Sequence, residues 1–197
     1  MTTDLTQHLT AGFDDGADAL RAFGRECGAA LVELAQGTAT AIRDGGKVLV
    51  FGNGGSAADA QHLAAEFVNR FRIDRPPLPA IALTTDSSAL TAIGNDFGFD
   101  QVFDKPVRAL ARPGDVVIGI TTSGTSPNVV RALTSARDIG CLCAGLTGAE
   151  SGPLEALCRF VFRVPSRVTP RIQECHIAWV HAYCDAVDRL LFPEAHG

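Results

Sequence analysis

Four short segments carry the residues able to do chemistry. Gly52-Asn53-Gly54-Gly55-Ser56 follows an apolar run and leads into a helix-forming one. Its three glycines allow positive φ and close approach to a ligand, and a helix start offers N–H groups to an anion. The segment is not GxGxxG and no GK[ST] follows, so neither nucleotide signature applies. A ligand cradle and a plain tight turn fit it equally well. The second segment, Thr121-Thr122-Ser123-Gly124-Thr125-Ser126-Pro127-Asn128, sets five hydroxyls within six residues. Ser126 can cap a helix that opens at Pro127. One hydroxyl suffices for a cap, so four are left for another purpose. Hydroxyls at a helix start with no lysine beside them suit a sugar phosphate monoester better than a triphosphate.

His62-x-x-x-Glu66 is the third segment, and at i and i+4 its side chains share one helix face. An imidazole and a carboxylate so placed can share a divalent metal or divide acid and base roles. A surface hydrogen bond is the plain alternative. Their place on the helix that begins at the glycine loop favours the functional reading. The fourth segment runs from Arg171 to His181 (RIQECHIAWVH). Gln173, Ile177 and His181 follow at four-residue steps, so Gln173 and His181 stand two turns, about 12 Å, apart on a broad face. That is near the limit for two side chains converging on one ion. His176 points elsewhere and suits a buried or interface hydrogen bond. Spacing alone leaves His181 undecided.

These segments need elements to position them. Leu20, Phe23, Cys27, Leu31, Leu34 and Ile42 recur at helical spacing over 18–43, before Gly45-Gly46. Leu5, Leu9 and Phe13 predict a shorter preceding helix, interrupted near Gly12 and Gly16. Residues 47–51, 80–83, 116–120, 141–146 and 160–164 read as strands. Between them lie helices over 57–70, 88–93, 101–111 and 127–138, and a long one over 170–191 closes the series. Continuous apolar strands separated by helices predict a parallel sheet covered on both faces. Ligands collect at the carboxyl ends of such strands. Both loops fall there and can face one crevice. The apolar stripe of 18–43, and apolar residues around much of 170–191, predict surplus surface for a subunit contact.

Composition narrows the class. The chain has 197 residues, 46% hydrophobic and 20% charged, with 17 basic against 22 acidic side chains and a net charge of −5. This excludes disorder as the main state and makes duplex nucleic acid a poor partner. No window reaches the roughly 18 apolar residues of a membrane helix, and the first residues lack the basic start and apolar core of a signal peptide. A cytoplasmic protein is expected. The six cysteines form no CxxC pair, which fits reduced thiols packed as small apolar groups.

Four stretches together, KVLVFGNGGSAADAQHLAAEFVNRF, PAIALTTDSSALTAIGNDFGF, GDVVIGITTSGTSPNVVRAL and TPRIQECHIAWVHAYCDAVD, resemble the phosphoheptose (sedoheptulose 7-phosphate) isomerases among the SIS, or sugar isomerase, domain proteins. The resemblance spans about 46–191 and is weaker before it. It implies a single SIS domain over 1–197, with 1–45 an N-terminal helical segment and 46–192 the core and C-terminal helix. Its fold is an α/β three-layer sandwich around a five-stranded parallel sheet. It implies conversion of sedoheptulose 7-phosphate to D-glycero-D-manno-heptose 7-phosphate through a cis-enediol, for the lipopolysaccharide inner core, by a homotetramer with sites at subunit boundaries. One zinc per subunit is implied, on His62, Glu66, Gln173 and His181. Glu66 and His181 are the implied acid–base pair. The implied substrate contacts are Asn53, Gly54, Gly55, Asn95, Asp96, Thr121, Thr122, Ser123, Ser126 and Gln173, with Ser56 adjoining. Pro170 stands where some members carry Asp, and Thr121 where Ser is commoner. The alternative is a non-catalytic SIS relative that binds the bacterial replication initiator. Those proteins share the RIQE segment but lack the counterparts of Glu66 and His181.

Overall fold

The computed structural model describes residues 2–196, from a long helix α1 (Thr2–Arg43) to a final turn. The five expected strands are present: β1 (Val48–Gly52), β2 (Ala80–Ala82), β3 (Val116–Ile120), β4 (Leu142–Thr147) and β5 (Phe160–Arg163). They form one parallel sheet in the order β2-β1-β3-β4-β5. Every residue of β1 and β3 is buried, as expected for central strands covered on both faces. The chain moves outward from β1 to β2, then crosses back to β3. The β1/β3 boundary is therefore the topological switch point, where the flanking loops diverge and leave a crevice.

One face is covered by α1, α2 (Gly55–Val68) and α7 (Thr169–Leu191), the other by α3 (Ser87–Phe97), α4 (Asp104–Leu110), α5 (Pro127–Ile139) and the short α6 (Leu154–Leu157). Aromatic rings dominate the first layer. Trp179 packs on Phe162 and on Tyr183 with ring centroids 4.9 Å apart in each pair, and Tyr183 stacks on Phe67 at 5.7 Å. The second layer is built on Phe51, stacked on Phe103 at 5.1 Å, with Val129 and Leu133 beneath them.

The expected break near Gly12 and Gly16 is not there, and α1 runs through both as a single helix. The reason is tertiary. A Cβ on Gly16 would stand 2.8 Å from Glu174 Oε2, and one on Gly12 would stand 3.5 Å from Arg171 Nη1. Gly16 is the notch for the Arg171–Glu174 ion pair of α7, bonded at 2.5 Å, whereas a Cβ on Gly12 would make only ordinary contact with it. A glycine costs a helix interior roughly 1 kcal/mol relative to alanine, and here the space it leaves admits Glu174. A second expectation is corrected too. The apolar circumference of α7 is consumed within the chain, since Ile172, Cys175, Trp179, Val180, Tyr183 and Val187 are all buried. Exposed apolar side chains lie instead along α1, at Leu5, Leu9 and Phe13 in its first turns and at Leu20 and Val32 further on.

Opposite the loop end of the sheet, Asp115 is 2% exposed and binds three donors: Lys47 Nζ at 2.6 Å, Lys47 N at 3.0 Å and Arg112 N at 2.8 Å. It ties the entry of β1 to that of β3. Asp115→Ala strands these donors, so we expect a loss of about 3–5 kcal/mol in urea unfolding. Turnover at temperatures where the variant is folded should not change, because the pair stands at the far edge from the loops.

Candidate active site

The two loops meet through a pair of amides. Asn53 Nδ2 donates to Asn128 Oδ1 and Asn128 Nδ2 to Asn53 Oδ1, each at 2.9 Å. This reciprocal bond fixes the glycine loop to the start of α5 across the switch point. Helix α2 opens at Gly55, two residues earlier than its composition suggests, behind Gly54 at φ 57°. The amides of Ser56, Ala57 and Ala58 already bond to the Asn53 and Gly54 carbonyls. The loop therefore offers a ligand the exposed backbone of Gly54 and Gly55. Ser56 is 2% exposed, tucked beneath Gly52.

In the second loop Ser126 stands at the N-cap of α5, but its hydroxyl makes no capping bond. It pairs with Thr121 Oγ1 at 2.8 Å, which also contacts Ser123 Oγ at 3.2 Å. Ser123 Oγ in turn accepts from Thr125 N at 3.3 Å. The hydroxyls form a network of their own, and folding the helix uses none of them as a side-chain cap. Beside them opens a cleft of about 310 Å³, lined by Thr122, Ser123, Arg167, Thr169 and Ile172. A roomier cleft of about 590 Å³ lies between α1 and the start of α7, lined by Asp15, Asp18, Ser166 and Arg171. It holds none of the expected site residues.

Helices α2 and α7 run parallel, and their register brings the candidate groups together. Gly55 faces Gln173, whose Cδ would stand 3.0 Å from a Cβ placed on that glycine. Two turns on, His62 Nε2 lies 3.0 Å from His181 Nε2 and 3.3 Å from Glu66 Oε1. Phe71 stacks on the His181 ring at 5.6 Å and limits its rotation. The spacing of His62 and Glu66 thus acquires its third member from a helix more than a hundred residues away.

Asn95 and Asp96 lie exposed on α3, with Asn95 Nδ2 donating to Asp96 Oδ1 at 2.7 Å. No residue of α3 is buried in this chain. One group went unread in the sequence. Asp59 stands three residues before His62 on the same face of α2, and its Oδ2 is buried with no hydrogen-bond partner among the described residues. Burial pushes its carboxyl up to about 6, with His62 opposing. The i, i+3, i+7 series of Asp59, His62 and Glu66 was the available signal.

A zinc ion with bonds of about 2.0–2.2 Å holds tetrahedral ligand atoms about 3.3–3.6 Å apart. The two separations around His62 come close to that, and imidazole and carboxylate suit zinc chemically. Among the described residues no three His, Cys, Asp or Glu side chains gather as a closed metal site, so His62 is the shared member of two pairs. Gln173 lies with Gly55, two turns back along α7.

The SIS domain family model matches residues 13–148. A phosphoheptose isomerase of Solidesulfovibrio magneticus is 58% identical over 185 residues, covering 93% of this chain and 90% of that protein. The chain belongs to the phosphoheptose isomerase family of SIS-domain enzymes. The phosphoheptose isomerase structure from Neisseria gonorrhoeae superposes with a TM-score of 0.88 at 44% identity, and that from Francisella tularensis with 0.89 at 38%. Each comparison covers 93% of this chain and 98% of the other. The expected α/β SIS architecture is therefore present. No helix among the described residues is long and apolar enough to cross a membrane.

His176 plays the buried role expected of it. It is wholly buried on α7, with Nε2 3.2 Å from the Thr147 carbonyl oxygen. Burial pulls its pKa down to about 4, against the backbone hydrogen bond. The unfolded chain binds the proton near pH 6.5 and the folded one only near pH 4, so stability falls on acidification through that window. The loss is at most about 3 kcal/mol. Urea titrations at pH 4–7 should show this slope in the parent protein and a flatter one in His176→Gln.

Proposed function

We propose that this protein isomerises sedoheptulose 7-phosphate to D-glycero-D-manno-heptose 7-phosphate. The observation that carries the reading is the convergence of His62, Glu66 and His181 beside two loops that meet at the switch point, in a chain of this family. A ketose-to-aldose isomerisation moves a proton from C1 to C2 through a cis-enediol. One group must remove a proton and another must deliver one. Glu66 and His181 supply that pair, and His62 lies within hydrogen-bonding distance of His181 and close to Glu66. Phe71, stacked on His181, narrows the positions its ring can take.

The phosphate belongs to the second loop in this reading. Thr121, Thr122, Ser123 and Ser126 present hydroxyls that no helix cap requires, at a helix start whose dipole favours an anion. Asn53, Gly54, Gly55 and Gln173 then lie along the sugar chain, Asn95 and Asp96 meet its far end, and Ser56 supports the glycine loop from below. Zinc is proposed on His62, Glu66 and His181, with Gln173 as the further ligand. A zinc ion held there would supply Lewis-acid stabilisation of the negative charge that develops during proton transfer. The exposed Leu5, Leu9 and Phe13 stripe supports assembly into a homotetramer. A cytoplasmic enzyme feeding lipopolysaccharide heptose completes the proposal. Nothing in the site favours the non-catalytic adaptor.

Glu66→Gln and His181→Asn should each lower turnover of sedoheptulose 7-phosphate by about 10²–10⁴-fold, with fold and assembly kept. Circular dichroism and light scattering check the latter. Near-parental turnover in either variant removes that residue from the mechanism. Ser123→Ala with Ser126→Ala should raise KM for the phosphorylated ketose, and free sedoheptulose should be a very poor substrate of the parent. Equal activity on both sugars would overturn the phosphate assignment.

A further inference from the structure

Arg75 lies between α2 and β2, and its side chain is only 1% exposed, as that of its partner Asp188 on α7 is 2% exposed. A buried charge is tolerated only when its hydrogen-bonding groups are matched. Here Nε donates to Asp188 Oδ1 at 2.8 Å, Nη1 to the carbonyls of Phe67 at 2.7 Å and Pro76 at 3.1 Å, and Nη2 to the carbonyl of Glu66 at 2.9 Å. Glu66 and Phe67 belong to the last turn of α2, where carbonyls lack partners inside the helix and a cation is favoured. A planar five-donor fork can hold two such carbonyls and a carboxylate at once, which a lysine cannot.

What lifts this above helix capping is which residues it joins. One bonded carbonyl is that of Glu66 itself. Asp188 stands seven residues beyond His181 on the same helix, or two turns. Cys184 fills the space between, its thiol pushed up by burial and then by the charges of Glu66 and Asp188, with Arg75 opposing. We infer that Arg75, with Asp188 as its counter-charge, is a positioning residue that sets the spacing between Glu66 and His181 by fixing the end of α2 to α7. The inference rests on the proton-transfer roles proposed for that pair. The side chain reaches no substrate; it acts through the backbone.

The test uses the full-length protein with sedoheptulose 7-phosphate. Arg75→Lys keeps the charge and loses the fork; the double variant Arg75→Met, Asp188→Leu replaces the pair by apolar groups, a change buried ion pairs often tolerate. Misplacement of a reacting group by about an ångström can cost about a hundredfold, so both should lose about tenfold to hundredfold in kcat while KM stays within about twofold. Asp115→Ala serves as the control, destabilised at the opposite edge of the sheet yet expected to keep kcat below its melting temperature. The inference is overturned if either Arg75 variant folds and keeps kcat within about twofold of the parent, or if Asp115→Ala loses kcat as they do. Failure of both Arg75 variants to fold also overturns it, since the pair is then structural only. Glu66→Gln separates the two claims. If it keeps turnover, the proton-transfer assignment falls and this inference with it. If it is inactive while Arg75→Lys is unimpaired, only the positioning claim falls.

Discussion

The parallel packing of α2 against α7 is the constraint on which the site depends. Neither helix holds a sufficient set of groups. Helix α2 supplies Asp59, His62 and Glu66 on one face, and α7 supplies Gln173 and His181. Because the helices run the same way, one register aligns Gly55 with Gln173 and His62 with His181. A slip of one turn, about 5.4 Å, would separate both pairs together. The stacked rings of Phe67, Tyr183 and Trp179 hold that register, and Thr38 anchors it from α1 through a 2.6 Å bond to the Tyr183 hydroxyl. The long first helix is therefore part of the machinery that places the site, although it contributes none of its chemistry.

The sheet supplies the other half. Only at the β1/β3 boundary do two strand ends deliver loops that diverge, and the Asn53–Asn128 amide pair stops them from drifting apart. One loop gives close-approach backbone, the other a self-bonded cluster of hydroxyls. In the proposed binding mode a phosphate ester would exchange hydroxyl–hydroxyl bonds for charge-assisted ones, which are the stronger kind. That exchange would need no lysine or arginine within the loop.

Much of this was legible in the residues. The five strands, the parallel sheet and the place of both loops follow from apolar runs interrupted by glycine and hydroxyl clusters. The pairing of His62 with Glu66 follows from i, i+4 spacing. The partnership of His62 with His181 did not follow, because spacing within α7 says nothing about which helix lies opposite. The continuity of α1 through Gly16 is hidden from local sequence for the same reason. A glycine in a helical pattern signals a break when read locally, but here it admits the Arg171–Glu174 pair of α7. Apolar positions around α7 suggested a subunit contact, whereas α1, α2 and the sheet bury them within one chain. Ser126 looked like a cap by type and place, yet Thr121 engages its hydroxyl. In each case local sequence offered a correct residue type, and the missing information was the tertiary neighbour.

The most direct test of this arrangement is a crystal structure of the protein with sedoheptulose 7-phosphate bound. The phosphate should lie on the Thr121–Ser126 hydroxyls and the C1–C2 unit between Glu66 and His181. Density for the sugar in the cleft between α1 and the start of α7, with the β1/β3 crevice empty, would contradict it.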